Sequence, residues 1–227
     1  MKDLNEYIDH TFLQAAGDED AVRRLCREAR KFKFASVCVN PAEVKLAAKL
    51  LKRSSVKVCT VVGFPLGQNT TAVKIVEGVQ AIGDGAAELD LVVNVRLLKF
   101  APPACLEELK GFVRSCREAK KDVVLKLIVE CCYLTDAEKV AACKMAKAAG
   151  FDFVKTSTGF GTGGATVHDV KLMRRAVGRK MGVKAAGGVR TREVALALIA
   201  AGANRLGCSS SIQLVKPQGK HPRGTPR

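Results

Sequence analysis

The sequence predicts a (β/α)8 barrel built as a single domain. A unit recurs in which a helical stretch meets a small-residue stop and then a β-rich run. It shows at Ile82-Gly-Asp-Gly-Ala-Ala-Glu-Leu-Asp-Leu-Val-Val93, at Ala148-Ala-Gly-Phe-Asp-Phe-Val-Lys155 and at Ala200-Ala-Gly-Ala-Asn-Arg-Leu-Gly207. This is the helix-to-strand step of a parallel α/β fold. Eight β-rich runs alternate with helical patterns along the chain. The length, 227 residues with 48% of them hydrophobic, suits one large core and is short for two. Periodicity alone would also fit an open, doubly wound sheet; eight strands in a chain of one-core size favour closure.

The β-rich runs fall at 7–13, 36–39, 56–64, 87–94, 123–130, 153–158, 182–187 and 205–209. Helical patterns lie near 18–32, 41–52, 70–82, 103–121, 135–149, 166–177 and 191–201. Asn40-Pro41-Ala-Glu43 sets a cap, a proline at the first helical position and an acid at the third. Thr135-Asp-Ala-Glu138 reads as a capping box. Glycines after the helices suit the left-handed position that ends them. Beyond the eighth strand only a turn or two of helix fits, around 209–215. Residues 216–227 are basic, rich in Pro and Gly and without apolar period, and read as a disordered tail. The expected division is therefore a barrel over 1–215 and a tail over 216–227.

Composition excludes several classes. No run approaches the roughly 18 apolar residues of a membrane helix, and the acid-bearing start Met1-Lys-Asp-Leu-Asn-Glu-Tyr7 resembles neither a signal nor a transit peptide. A cytoplasmic protein is expected. Nine scattered cysteines without a C-x-x-C pair argue against a disulfide framework. With His10, His168 and His221 showing no ligand spacing, they also argue against structural zinc, and most read as small buried hydrophobes. The formal charge of +16 points to an anionic partner such as a phosphorylated small molecule. Specific nucleic-acid recognition gains nothing beyond charge, since aromatics make up 5% and tryptophan is absent.

The chemistry gathers on alternate strand positions. Lys155 and Lys184 sit inside short apolar runs on successive strands, where a lysine is costly unless paired or uncharged. The charge of one favours the neutral amine of the other, and a neutral lysine amine is the equipment for Schiff-base chemistry. On the fourth strand Glu88, Asp90 and Asn94 share one face. The same parity points Lys126, Ile128 and Glu130 inward on the fifth, Asp9 and Thr11 on the first, and Ser36, Cys38 and Asn40 on the second. Such a lumen is a paired network or a site. Beyond the last three strands lie Gly159-Phe-Gly-Thr-Gly-Gly164, Gly187-Gly188 and Gly207-Cys-Ser-Ser-Ser211, backbone-rich loops suited to phosphate.

At these residues the chain resembles the deoxyribose-phosphate aldolases. The likeness runs from about Tyr7 to Ser211 through Ile8-Asp-His-Thr11, Cys38-Val-Asn-Pro41, Gly63-Phe-Pro-Leu-Gly67, Glu88-Leu-Asp90 with Asn94, and Lys126 with Glu130. Phe153-Val-Lys-Thr-Ser-Thr-Gly159 and Gly182-Val-Lys-Ala-Ala-Gly-Gly-Val-Arg-Thr191 are its most specific parts. The resemblance implies a metal-independent class I aldolase, a lyase without cofactor. Its reaction is reversible cleavage of 2-deoxy-D-ribose 5-phosphate to D-glyceraldehyde 3-phosphate and acetaldehyde in deoxyribonucleotide catabolism, carried out by a homodimer or homotetramer. Another class I aldolase or transaldolase acting on a different phosphosugar is the alternative. Carried over, Lys155 is the Schiff-base lysine, Lys184 its partner and Asp90 the acid of the proton relay. Asp9, Thr11, Cys38, Asn94 and Lys126 support them, and Gly159, Gly187, Gly188, Gly207, Ser209 and Ser210 hold the phosphate. Arg96, Ser211 and the tail depart from the family's pattern.

Overall fold

The computed structural model describes residues 3–216, so all but the first residue of the expected tail lies outside the described residues. Eight strands follow one another: β1 (Ile8–Phe12), β2 (Ser36–Val39), β3 (Lys57–Val62), β4 (Glu88–Val92), β5 (Val124–Ile128), β6 (Phe153–Lys155), β7 (Gly182–Ala186) and β8 (Arg205–Cys208). Each pairs in parallel with the next, and β8 pairs back to β1, closing the barrel. The helices are α1 (Glu19–Phe32), α2 (Val44–Leu51), α3 (Thr71–Gly83), α4 (Val95–Phe100), α5 (Pro102–Ala119), α6 (Asp136–Ala149), α7 (Val167–Val177), α8 (Arg192–Ala200) and α9 (Ser211–Val215). The expected closed barrel is what forms.

Strand parity splits the interior into two layers. Leu89, Leu91, Leu125, Leu127, Val154, Val183 and Leu206 join the large apolar core between sheet and helices. Cys38, Cys59 and Val61 form a separate small cluster on the other face, which they share with the buried charges of Asp9, Glu88, Asp90, Lys126, Lys155, Lys184 and Arg205. Eight of the nine cysteines are buried and all are free, as their scatter implied.

Local chemistry sets the helix ends. Thr135 and Glu138 make the expected reciprocal capping box at α6, and Gly150 ends α6 in the left-handed conformation at φ 92°. Asn40 departs from expectation: Pro41 opens a short 3-10 turn, and the Asn40 amide donates to Gln14 O at 3.4 Å instead of capping. β2 has the expected bounds, the other seven strands are shorter than their β-rich runs, and α4 has no counterpart among the expected helices. Val93 N still donates to Ile128 O on β5 at 3.0 Å, after which the Asn94 side chain accepts from Leu97 N at 3.1 Å to cap α4.

Candidate active site

The lumen is a closed circuit of alternating charge. Asp90 on β4 is fully buried. Its Oδ1 accepts from Lys126 Nζ at 2.8 Å and from Cys59 Sγ at 3.2 Å. Its Oδ2 accepts from Lys155 Nζ at 2.8 Å and from Lys184 Nζ at 2.6 Å. Lys184 also lies 2.6 Å from Asp9 Oδ2. Asp9 Oδ1 accepts from Arg205 Nε at 2.7 Å, and Arg205 Nη2 reaches Glu88 Oε2 at 2.9 Å. Glu88 Oε2 is 2.7 Å from Lys126, which returns the circuit to Asp90. Lys155 hangs from this circuit on the Asp90 side. Each ion loses hydration, and only dense mutual pairing makes such burial tolerable.

The titration of these groups follows from that pairing. Burial pushes the Asp90 carboxyl upward, but Lys126, Lys155 and Lys184 override it and hold the group well below the usual carboxylate range. For Asp9, burial is likewise overridden by Arg205 and Lys184. Burial pushes Lys184 downward, yet Asp9 and Asp90 hold it above the ordinary lysine range. The sequence led us to expect Lys184 and Lys155 as a direct cation–amine pair; they meet instead through the shared Asp90 Oδ2.

Above the circuit, at the C-terminal ends of the strands, opens a cleft of about 310 Å³. Among the three buried lumen lysines, Lys155 alone lines it. Thr11, Gly159, Gly187, Gly188, Gly207 and Ser209 also line it. Gly159, Gly187 and Gly188 have φ of 88°, 85° and 78°, backbone that side chains resist. Gly207 is small for a different reason: a Cβ there would meet Ala186 Cβ at 3.0 Å and Lys184 Cε at 3.2 Å.

Other expected residues lie elsewhere. Asn94 caps α4 at the rim, and Ser210 stands outside the cleft lining at the start of α9. Cys38 is fully buried against Cys59 and Val61 and does not wall the cleft. Glu130 leaves the strand parity because its backbone turns left-handed at φ 56°. Its carboxylate accepts from Thr158 N at 3.1 Å and from the Thr158 hydroxyl, fastening the loop after β6.

Sequence reading missed three contributors. Arg205 is the cation that joins Asp9 to Glu88; its alternation with Gly207 along β8 was the available signal. Cys59 donates to Asp90, and parity with Val61 would have placed it inside. Arg190 lines the cleft beside Gly188 and supplies a positive charge there.

Two groups of metal-capable ligands converge among the described residues, Cys38–Cys59–Asp90 and Asp136–His168–Asp169. A lysine already serves each. Lys126 lies 2.8 Å from Asp90 and 3.3 Å from Cys59. Lys139 lies 3.1 Å from Asp136 and 2.7 Å from Asp169.

A buried carboxylate shared by three lysines, one of them open to a glycine-lined cleft, lets that lysine capture a carbonyl while its neighbours move protons. The model of the DeoC/LacD family aldolases matches residues 4–211. A deoxyribose-phosphate aldolase of Caldanaerobacter subterraneus subsp. tengcongensis is 50% identical over 95% of this chain and 94% of its own length. One from Streptococcus equi subsp. zooepidemicus is 54% identical over 94% of this chain and 96% of its own. Among solved structures, the tetrameric deoxyribose phosphate aldolase of Aeropyrum pernix superposes with a TM-score of 0.87 at 34% identity, covering 93% of this chain and 89% of that one. The aldolase QR15 superposes with a TM-score of 0.89 at 40% identity over 95% of both chains. With a family match spanning nearly all of the barrel, the chain belongs to the DeoC/LacD family of aldolases.

Proposed function

We propose that this chain is a deoxyribose-phosphate aldolase in which Lys155 forms the Schiff base. The observation that carries the reading is that Lys155, alone of the three buried lumen lysines, borders the cleft while sharing Asp90 Oδ2 with Lys184. The amine form of Lys155 attacks C1 of open-chain 2-deoxy-D-ribose 5-phosphate. Water leaves the carbinolamine to give an iminium. The iminium then accepts the electron pair of the C2–C3 bond as the C3 hydroxyl loses its proton. D-Glyceraldehyde 3-phosphate departs, and the remaining enamine takes a proton at C2. One water hydrolyses the resulting iminium, replacing the one lost earlier and freeing acetaldehyde. Asp90 and Lys184, through a water, carry these protons, with Asp9 and Lys126 keeping Asp90 and Lys184 in place.

The substrate's phosphate lies at the other end of the cleft in this reading. The backbone at Gly159, Gly187, Gly188 and Gly207, the Ser209 and Ser210 segment, and Arg190 receive it. Thr11 faces the sugar. The active molecule is a single barrel ending near residue 215, working in the cytoplasm as an assembly of two or four copies. The tetrameric Aeropyrum pernix relative supports the last point. Among the described residues no helix is long and apolar enough to cross a membrane.

Borohydride reduction with acetaldehyde is the direct test. The expected result is a reduced ethyl adduct on Lys155 and loss of turnover in Lys155→Ala. An unmodified Lys155, or an active Lys155→Ala variant, overturns the proposal. Product analysis with deoxyribose 5-phosphate against fructose phosphates tests the substrate.

A further inference from the structure

Outside the lumen, a second buried polar chain runs beneath the loop that follows β8. Ser211, the first residue of α9, is fully buried. Its Oγ lies 3.0 Å from Cys208 O, 3.2 Å from Cys208 Sγ and 2.9 Å from His10 Nδ1. His10 is 3% exposed, and its Nε2 lies 2.8 Å from Glu28 Oε2 on α1. A carboxylate only accepts, so Nε2 carries a hydrogen toward Glu28. In the neutral ring Nδ1 then accepts from the Ser211 hydroxyl, which shares its hydrogen between His10 and the Cys208 carbonyl. Serine, histidine and glutamate in a row resemble a hydrolytic relay, but Ser211 is sealed from the cleft and no substrate reaches it.

What this chain does reach is the backbone on either side of Ser209. Cys208 and Ser209 line the cleft, and the Ser211 hydroxyl closes the turn across Ser209 and Ser210 by gripping Cys208. The grip is anchored through β1 to α1, on the far side of the β8–β1 seam. A loop that presents backbone N–H groups to an anion works only if its amides are held in one arrangement before the anion arrives.

We infer that Ser211, His10 and Glu28 are positioning residues that set the Cys208–Ser211 turn for the substrate's phosphate. The inference rests on the proposed phosphate end of the cleft. In Ser211→Ala the KM for deoxyribose 5-phosphate should rise about tenfold, the worth of one buried hydrogen bond. Its kcat, and kcat/KM for unphosphorylated 2-deoxyribose, should stay within about twofold of the parent. Glu28 is partly exposed, so its replacement spares the core. Glu28→Leu should raise the same KM to a smaller degree, and Glu28→Gln, which keeps an acceptor, should restore it. Ser211→Ala with Glu28→Leu should be no worse than Ser211→Ala alone. An unchanged KM in both single variants, or equal losses on both substrates, overturns the inference. A parent enzyme with no preference for the phosphorylated sugar overturns the phosphate reading, and this inference with it.

Discussion

Asp90 touches three ammonium groups and a thiol, so its charge organises the lumen before any substrate arrives. Asp90→Asn leaves Lys126, Lys155 and Lys184 facing one another around a neutral amide. We expect kcat to fall by about 10²–10⁴ and stability by about 3–5 kcal/mol, measured by steady-state kinetics and chemical denaturation. Arg205→Met makes a useful contrast. Arg205 joins Asp9 to Glu88 at the buried end of the circuit and does not line the cleft. Its loss should cost similar stability but far less of kcat, and equal losses of kcat in the two variants would refute that division. The same ion pairs set the acid limit. Asp9 and Asp90 titrate below their unfolded values, so their contribution to stability is complete above about pH 4 and is lost as pH falls through the folded values. Lys184 titrates above its unfolded value; its contribution is complete below about pH 10 and fades only as pH rises further. Melting temperature against pH should therefore drop steeply below about pH 4, and Asp9→Asn should flatten that slope.

Among the elements, the packing of α3 on α5 depends on a buried pair that no catalytic reading requires. Lys74 and Glu108 meet at 2.7 Å, and Thr71 donates to the same carboxylate at 3.0 Å. Glu108→Leu alone strands a buried ammonium and should cost about 3–5 kcal/mol, whereas Lys74→Met with Glu108→Leu should recover most of that loss in the same denaturation experiment. Element boundaries also show where the sequence is legible. The alternating runs located all eight strands because lumen and outer core demand opposite side chains. Except at β2, the ends of the runs extend past their strands because β-compatible residues continue beyond the ladder, as Thr156-Ser157-Thr158 do after β6. Beyond β6, Thr156 N still donates to Lys184 O at 3.0 Å, but Thr158 N turns to the Glu130 carboxylate rather than to a strand. Asn94 kept the parity of Asp90 and was read as a lumen residue, while the cap of a helix hidden before Pro102-Pro103 claimed its side chain. For Arg205, the alternation with Gly207 along β8 marks a lumen-facing charge, but its partners Asp9 and Glu88 are 196 and 117 residues away, so the pairing itself comes only from closure of the barrel. The lysine motifs were readable because a charge inside an apolar strand has few uses.

At the scale of the whole molecule, the barrel converts sequence distance into proximity. Asp90, Lys155 and Lys184 come from three strands, and closure brings β8 and β1 together so that Arg205 can complete the circuit. The helices keep water from the outer wall, leaving the strand ends as the open face of the cleft. The whole chain carries a formal charge of +16, far more than a glycine-lined pocket needs for one phosphate. A field of that sign raises the encounter rate of a phosphorylated sugar from a distance and does nothing for a neutral one. Salt should expose the difference. Between about 0.05 and 0.5 M ionic strength the screening length shrinks to a few ångströms, so kcat/KM for deoxyribose 5-phosphate should fall several-fold. The same parameter for unphosphorylated 2-deoxyribose should hold, as should kcat for both, because the ion pairs around Asp90 are buried beyond the reach of salt. Chloride salts in a phosphate-free buffer keep competing phosphate out of the comparison. A parallel decline for both sugars would mean that salt acts on the barrel itself, and that the excess charge serves something other than substrate capture.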